Sequence, residues 1–172
     1  MRLHYQPLFR TAYRLTRSVH DAEDLVQEVC VRAFPRLTEV EALEQPRHWL
    51  MRVLYRLFID SSRRYERRNA DSIDAMENEI LSSTEPGPLE QTEALMSSER
   101  LDRAWRRLDD GQRALLALHD IEGYSLAELN EMMGIKEGTL KSRLHRARVR
   151  LGKLLQLEET VGAPKAGLGG LR

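Results

Sequence analysis

The sequence predicts an all-α protein: two small helical domains joined by a flexible acidic linker, the C-terminal one carrying a helix-turn-helix. Three observations carry this reading. Apolar residues recur at helical spacing in segment after segment, and no run of alternating β-branched residues interrupts them. Two arginine-rich segments flank a stretch that is acidic and broken by Pro86, Gly87 and Pro88. The segment from Ser125 to Lys153 reads as two helices with a tight turn between them.

Residues 1–18 carry an imperfect helical stripe of Leu3, Leu8, Phe9, Ala12, Tyr13, Leu15 and Thr16. Pro7 has no N–H to donate, so the helix is expected to start there. Asp21 is the expected N-cap of the next helix, and Glu23 and Asp24 suit its positive end. The stripe Ala22, Leu25, Val26, Val29, Cys30, Ala33, Phe34 and Leu37 follows, with Pro35 as a stop or kink. Residues 39–45 read as a short acidic connection.

Pro46 opens a helix whose apolar face is Trp49, Leu50, Val53, Leu54, Leu57 and Phe58. Its polar side is basic: residues 47–68 hold seven arginines against Asp60 and Glu66. Trp49, Tyr55 and Tyr65 lie among those arginines, and that mixture suits stacking on unpaired bases. Taken alone, Trp49 is more often a core residue.

From Asp71 to Asp102 nine acids face a single base, Arg100. This is the expected domain boundary, a mobile acidic tether with a short helix around Ser72 to Leu81. The expected limits are 1–68 for the first domain, 69–96 for the linker, 97–155 for the second domain and 156–172 for a disordered tail. Leu101, Ala104, Trp105 and Leu108 mark one helix, and Asp109-Asp110 cap the next. Gly123-Tyr124 turn the chain into the final motif.

That motif has local signatures. Ser125 and Glu128 have capping-box spacing. Gly134 sits where the chain must turn with positive φ, and Ile135 is placed to plug the corner. The second helix, from about Glu137 to about Leu155, buries Leu140, Leu144, Ala147, Leu151 and Leu154. Residues 136–153 hold seven Lys/Arg against Glu137 alone. A charge run is usually a solvated face, but with the cap, the turn glycine and Gly138-Thr139 it fits a helix for a major groove.

Composition bounds the function. The chain has 172 residues, with 27 basic and 27 acidic side chains and formal net charge zero. A nucleic-acid reading must therefore rest on local charge distribution. Cys30 is the lone cysteine, so no internal disulfide and no thiolate metal cluster can form, and it reads as a buried small hydrophobe. No apolar run reaches membrane-spanning length and no signal peptide opens the chain, so a cytoplasmic location is expected.

Three segments in order, DAEDLVQEV (21–29), PRHWLMRVLYRLFIDSSRR (46–64) and GTLKSRLHRARVRL (138–151), resemble the extracytoplasmic-function (ECF) sigma factors of bacterial RNA polymerase. The resemblance covers about residues 3–155. Its third motif is the least specific, since LuxR-type activators carry a similar helix. It implies that the first domain grips the clamp helices of the largest polymerase subunit through Asp21, Glu23, Asp24, Gln27 and Glu28, with Leu25 in the core. The loop from Leu37 to Pro46 would read bases, and Arg47, Trp49, Arg56, Arg63 and Arg64 would hold the melted minus-ten strand. Thr139, Lys141, Ser142, Arg143, His145 and Arg146 would meet the duplex minus-thirty-five element. The further partners implied are the flap of the second-largest polymerase subunit and an anti-sigma factor, with no cofactor. Departures from the family pattern are Tyr55-Arg56, where Arg-Asn is common, and Asn130, where a small residue is usual. No regulatory extension is expected beyond a Gly-rich tail.

Two other classes compete with this reading. An autonomous LuxR-like regulator needs neither the second basic helix with its aromatics nor the acidic segment. An enzyme is disfavoured: no GxxxxGK[ST], HExxH or GxSxG motif occurs, and the histidines are scattered at 4, 20, 48, 119 and 145.

Overall fold

The computed structural model describes residues 2–70 and 92–162, all of whose regular elements are helices. The expected linker helix at 72–81, the middle of the tether from 71 to 91 and the end of the tail lie outside the described residues, whereas residues 69–70 and 92–96 of the expected linker are helical.

α1 spans Arg2–Thr16. It includes Pro7 rather than starting there, and the Pro7 carbonyl accepts from the Thr11 hydroxyl at 3.0 Å. Leu8, Ala12 and Leu15 are buried against α2, Val19–Ala33. The α2 cap is Ser18, not Asp21: the Ser18 side chain accepts from the Asp21 N–H at 3.2 Å. A serine at N-cap reaches the N3 amide, so Asp21 sits in the first turn, where its charge meets the positive helix end. Ala22, Leu25, Val26, Val29 and Ala33 form the buried stripe of α2.

Pro35 ends α2 in a 3-10 turn, Phe34–Arg36. The next residues, expected as plain connection, form the short helix α3, Leu37–Glu41, which buries Val40. One inward apolar side chain decides this stretch against the acids beside it. α4, Pro46–Ala70, buries Leu50, Met51, Leu54, Leu57 and Phe58 against α1 and α2.

α5 spans Thr92–Arg106, and α6, Asp110–Leu115, begins with a capping box between Asp109 and Gln112. α6 runs into a π-helical segment, Leu116–Ile121. The Glu122 N–H then donates to the Ala117 carbonyl and the Tyr124 N–H to the Leu118 carbonyl, each at 3.0 Å. Single π turns of this kind mark points where a helix is re-aimed.

α7, Leu126–Met133, and α8, Glu137–Gly162, are the last of the described helices. α8 is longer than expected, and residues 156–162 belong to it rather than to a disordered tail. Leu154 is fully buried, and the Glu158 carboxylate accepts from Arg103 of α5 at 2.8 Å, which ties this last stretch down. Cys30 is free and half-buried.

The two domains pack against each other, with α1 beside α6 and α4 beside α7. The Trp105 indole N–H donates to the Arg14 carbonyl at 2.9 Å, and Arg17 pairs with Asp102.

Candidate nucleic-acid interface

The helix-turn-helix is built as its local chemistry requires. The Glu128 carboxylate accepts from the Ser125 N–H at 2.7 Å, and the Ser125 hydroxyl accepts from the Glu128 N–H at 3.2 Å. Hydrogen bonds from the Ser125 hydroxyl and N–H hold the Glu128 carboxyl below its ordinary range. Gly134 ends α7 at φ 69° and ψ 26°, the left-handed cap that glycine adopts without strain.

Asn130 resolves the question its size raises. Its side-chain amide donates to the Ile135 carbonyl at 2.9 Å, so the asparagine fastens the turn instead of crowding it. Leu129 and Met132 of α7 and Leu140 and Leu144 of α8 are buried between the helices. Each such leucine stabilises the pair by about 1.5–3 kcal/mol.

With that stripe inward, the outward side of α8 is fixed. Thr139, Lys141, Ser142, Arg143, His145 and Arg146 are all exposed. They occupy the first turns of the helix, as a major-groove reader requires. The Ser142 hydroxyl donates to the Thr139 carbonyl at 2.9 Å. Further along, Arg148 donates to both carboxylate oxygens of Asp120, at 3.0 and 2.5 Å, and fixes α8 to the π segment. Those bonds hold the Asp120 carboxyl below the usual carboxylate range.

In the N-terminal domain the acids form an outward ridge. Asp21, Glu23, Asp24, Gln27 and Glu28 are exposed on α2, while Leu25 is buried. Glu28 accepts from Arg32 at 3.0 Å. Val31 and Phe34, at 66% and 76% exposure, continue the α2 surface with apolar character. A solvent-facing phenylalanine next to charged residues is an interaction signal. Sequence reasoning missed it, because Phe34 falls on what reads as a core stripe and Val31 lies outside it.

The five residues expected at a melted strand are not all in one place. Trp49 and Arg56 line an open cavity of about 460 Å³ with Arg32, Pro35, Arg36 and Val53. An indole, a proline and three guanidinium groups around one hollow suit a flat, electron-rich ring on an anionic chain. Arg32 and Arg36 were missed, since nothing local at the end of α2 or in the 3-10 turn after it points to Trp49. Arg63 and Arg64 lie exposed further along α4, about two turns past Arg56. Arg47 points elsewhere and donates to Glu122 at 2.5 Å.

Tyr55, one of the departures from the family pattern, is half-buried on α4. It lines a second cavity of about 310 Å³ together with Arg143 and Arg146 of α8. Burial pushes its hydroxyl above the usual range, against the pull of Arg63 and Arg143.

Among the described residues no helix is long and apolar enough to cross a membrane, and no cluster of His, Cys, Asp or Glu could hold a metal ion.

Comparison with known proteins gives one consistent result. Residues 1–68 match the family model for sigma-70 region 2, and residues 98–151 match that for sigma-70 region 4. The chain is 32% identical over 169 residues to the ECF RNA polymerase sigma factor SigE of Mycolicibacterium smegmatis, covering 96% of this chain and 64% of that protein. It is 35% identical over 150 residues to SigL of Mycobacterium tuberculosis, covering 84% of this chain and 80% of the relative. Among solved structures, the sigma factor RpoE of Bartonella quintana, in complex with the anti-sigma factor NepR, is similar with a TM-score of 0.69 at 28% identity. That match covers 90% of this chain and 93% of RpoE. With two sigma-region helical domains in the right order and a helix-turn-helix at the end of the second, the chain belongs to the ECF group of the sigma-70 family.

Proposed function

We propose that this chain is a promoter-specificity subunit. It binds the core of a bacterial RNA polymerase, reads two promoter elements and helps open the duplex, and it carries no catalytic chemistry of its own. The observation that carries the reading is the presence, in one chain, of two DNA-suited surfaces of different kinds. The exposed start of α8 is shaped for a duplex groove, and the arginine-ringed hollow beside Trp49 is shaped for an unstacked base.

The domain limits 1–68 and 97–155 divide these tasks. In the first, the acidic ridge Asp21, Glu23, Asp24, Gln27 and Glu28 faces the clamp helices of the largest polymerase subunit. Trp49, Arg56, Arg63 and Arg64 hold the minus-ten strand, and Arg47 joins them once released from Glu122. In the second, Thr139, Lys141, Ser142, Arg143, His145 and Arg146 read the minus-thirty-five element, and the domain docks on the flap of the second-largest subunit. The structure of RpoE is one of a complex with an anti-sigma factor. By that analogy a protein inhibitor covers these faces until a signal arrives.

The test is co-elution of the chain with sigma-free polymerase core, followed by transcription from a promoter library. Stable co-elution with new specific transcripts is expected. A chain that shifts a duplex without polymerase and never binds core would instead be a LuxR-like regulator.

A further inference from the structure

The seam between the domains centres on one carboxylate. Glu122 lies in the turn between the π segment and α7, and its side chain is only 8% exposed. It accepts from the Thr11 hydroxyl at 2.8 Å, from Arg14 at 3.0 Å and from Arg47 at 2.5 Å. All three donors belong to the N-terminal domain, two on α1 and one at the start of α4. A buried carboxylate is costly to leave unpaired, and these three donors satisfy it.

Further polar contacts cross the seam. Trp105 is hydrogen-bonded to the Arg14 carbonyl, Arg17 is paired with Asp102, and the Ser62 hydroxyl donates to Asp110. The His48 ring meets Tyr124 edge-on at 5.3 Å. Contacts of this composition resemble an interface that opens rather than a permanent core.

Two consequences follow for the surfaces assigned above. Arg47 is engaged by Glu122 while the seam is closed. The recognition half of α8 also stands within one cavity of α4, because Tyr55, Arg143 and Arg146 share its lining. Promoter elements near minus ten and minus thirty-five are separated by roughly 80 Å of duplex, at about 3.4 Å per base pair. With α4 and α8 both lining one small cavity, the minus-ten residues carried on α4 and the reading half of α8 cannot span that distance.

We propose that Glu122 is an autoinhibitory latch: with Thr11, Arg14 and Arg47 it holds the free chain closed, and the latch must break before the chain can read both promoter elements on polymerase. The inference rests on the functional reading above. Polymerase and promoter then bind a minor open form, and their apparent affinity is reduced by its small population. An anti-sigma factor need only cover a chain that is already closed.

The experiment uses the full chain with three variants: Glu122→Arg, Arg14→Glu and the charge swap that combines them. Small-angle scattering reads the free chain, and fluorescence anisotropy reads affinity for polymerase core. A closed chain of this length should scatter near the compact-domain radius of gyration of about 16 Å, with the ends adding to it. Glu122→Arg should raise that radius and tighten core binding roughly tenfold, as expected when an open minority becomes the majority. The charge swap should restore both wild-type values, which a merely misfolded Glu122→Arg could not explain. An unchanged radius in both single variants would overturn the latch. A larger radius with unchanged core affinity would overturn its inhibitory role. Failure of the wild-type chain to bind core at all would overturn the functional reading and take this inference with it, whatever the scattering shows.

Discussion

Gly134 and Gly138 stand four residues apart, and the structure predicts opposite outcomes for the same substitution. At either position an added Cβ meets nothing within 4 Å, so packing does not enter. What differs is the backbone. Gly134 has φ of 69°, in the left-handed region, where an L-residue costs about 1–2 kcal/mol. Loss of glycine freedom in the unfolded chain returns about 0.4–1 kcal/mol. Gly134→Ala should therefore destabilise by about 1 kcal/mol, a fall in Tm of roughly 2–4 °C. Gly138 lies in the first turn of α8 without positive φ, so alanine should stabilise there by up to about 1 kcal/mol. Urea unfolding of the full chain, followed by helix signal and by tryptophan fluorescence, measures both. The pair should differ by about 1.5–2 kcal/mol in the stated order. A neutral or stabilising Gly134→Ala would refute the argument that left-handed geometry, rather than space, selects glycine at the turn.

Three further predictions address the surfaces. Replacing Lys141 and Arg143 with alanine should weaken binding to the upstream element. If both contact phosphate, the slope of log K against log salt should flatten by up to about 1.8; an unchanged slope would remove both from the phosphate contacts. Asp24→Lys with Glu28→Lys should abolish co-elution with polymerase core while helix content and melting stay near wild type, since both side chains are exposed; retained core affinity would take these acids out of the interface. Asp120 is held below the usual carboxylate range chiefly by its hydrogen bond from Arg148, so the stabilisation it contributes is present above the unfolded value near ~4 and is lost as pH falls through the lower folded value. Urea midpoints should accordingly separate wild type from Asp120→Asn at pH 7 and draw together as pH falls below the unfolded value, and a gap undiminished in acid would assign the pairing another origin.

What the sequence made legible was local. Ser125 with Glu128, Gly134, and the Leu140–Leu144–Ala147 stripe each depend on neighbours within one or two helical turns, so their roles follow from spacing. The start of α4 at Pro46 is of the same kind. Long-range partners were not legible. The helical stretch after Leu155 depends on Glu158 meeting Arg103, 55 residues earlier in the chain. Glu122 stands before a Gly-Tyr turn and looks like any exposed acid, yet its partners lie 75 to 111 residues away. The cavity beside Trp49 needed Arg32 and Arg36 to fold back from the end of α2, which no periodicity announces. Ser18 displaced Asp21 as cap for a smaller reason: both residue types serve, and the choice depends on where the chain leaves α1, at Arg17 with its φ of 62°.

The π-helical segment Leu116–Ile121 links these long-range features to one another. An α-helical path would direct Asp120 and Glu122 to positions about 200° apart on a continuing helix. The wider turn instead ends the helix, leaving Asp120 to take Arg148 of α8 while Glu122 leaves the helix to take Arg14 and Arg47. Two acids one residue apart, at the end of the π segment and just past it, thus act in different directions. One fixes the recognition helix within its own domain, and the other fixes that domain to its neighbour. Because the two carboxylates share no partner, the outer contact can open without loosening the inner one. A helix-turn-helix domain that must separate from its neighbour and still present a rigid α8 needs that independence. A conventional helical turn, with both acids carried rigidly on one axis, would couple the two.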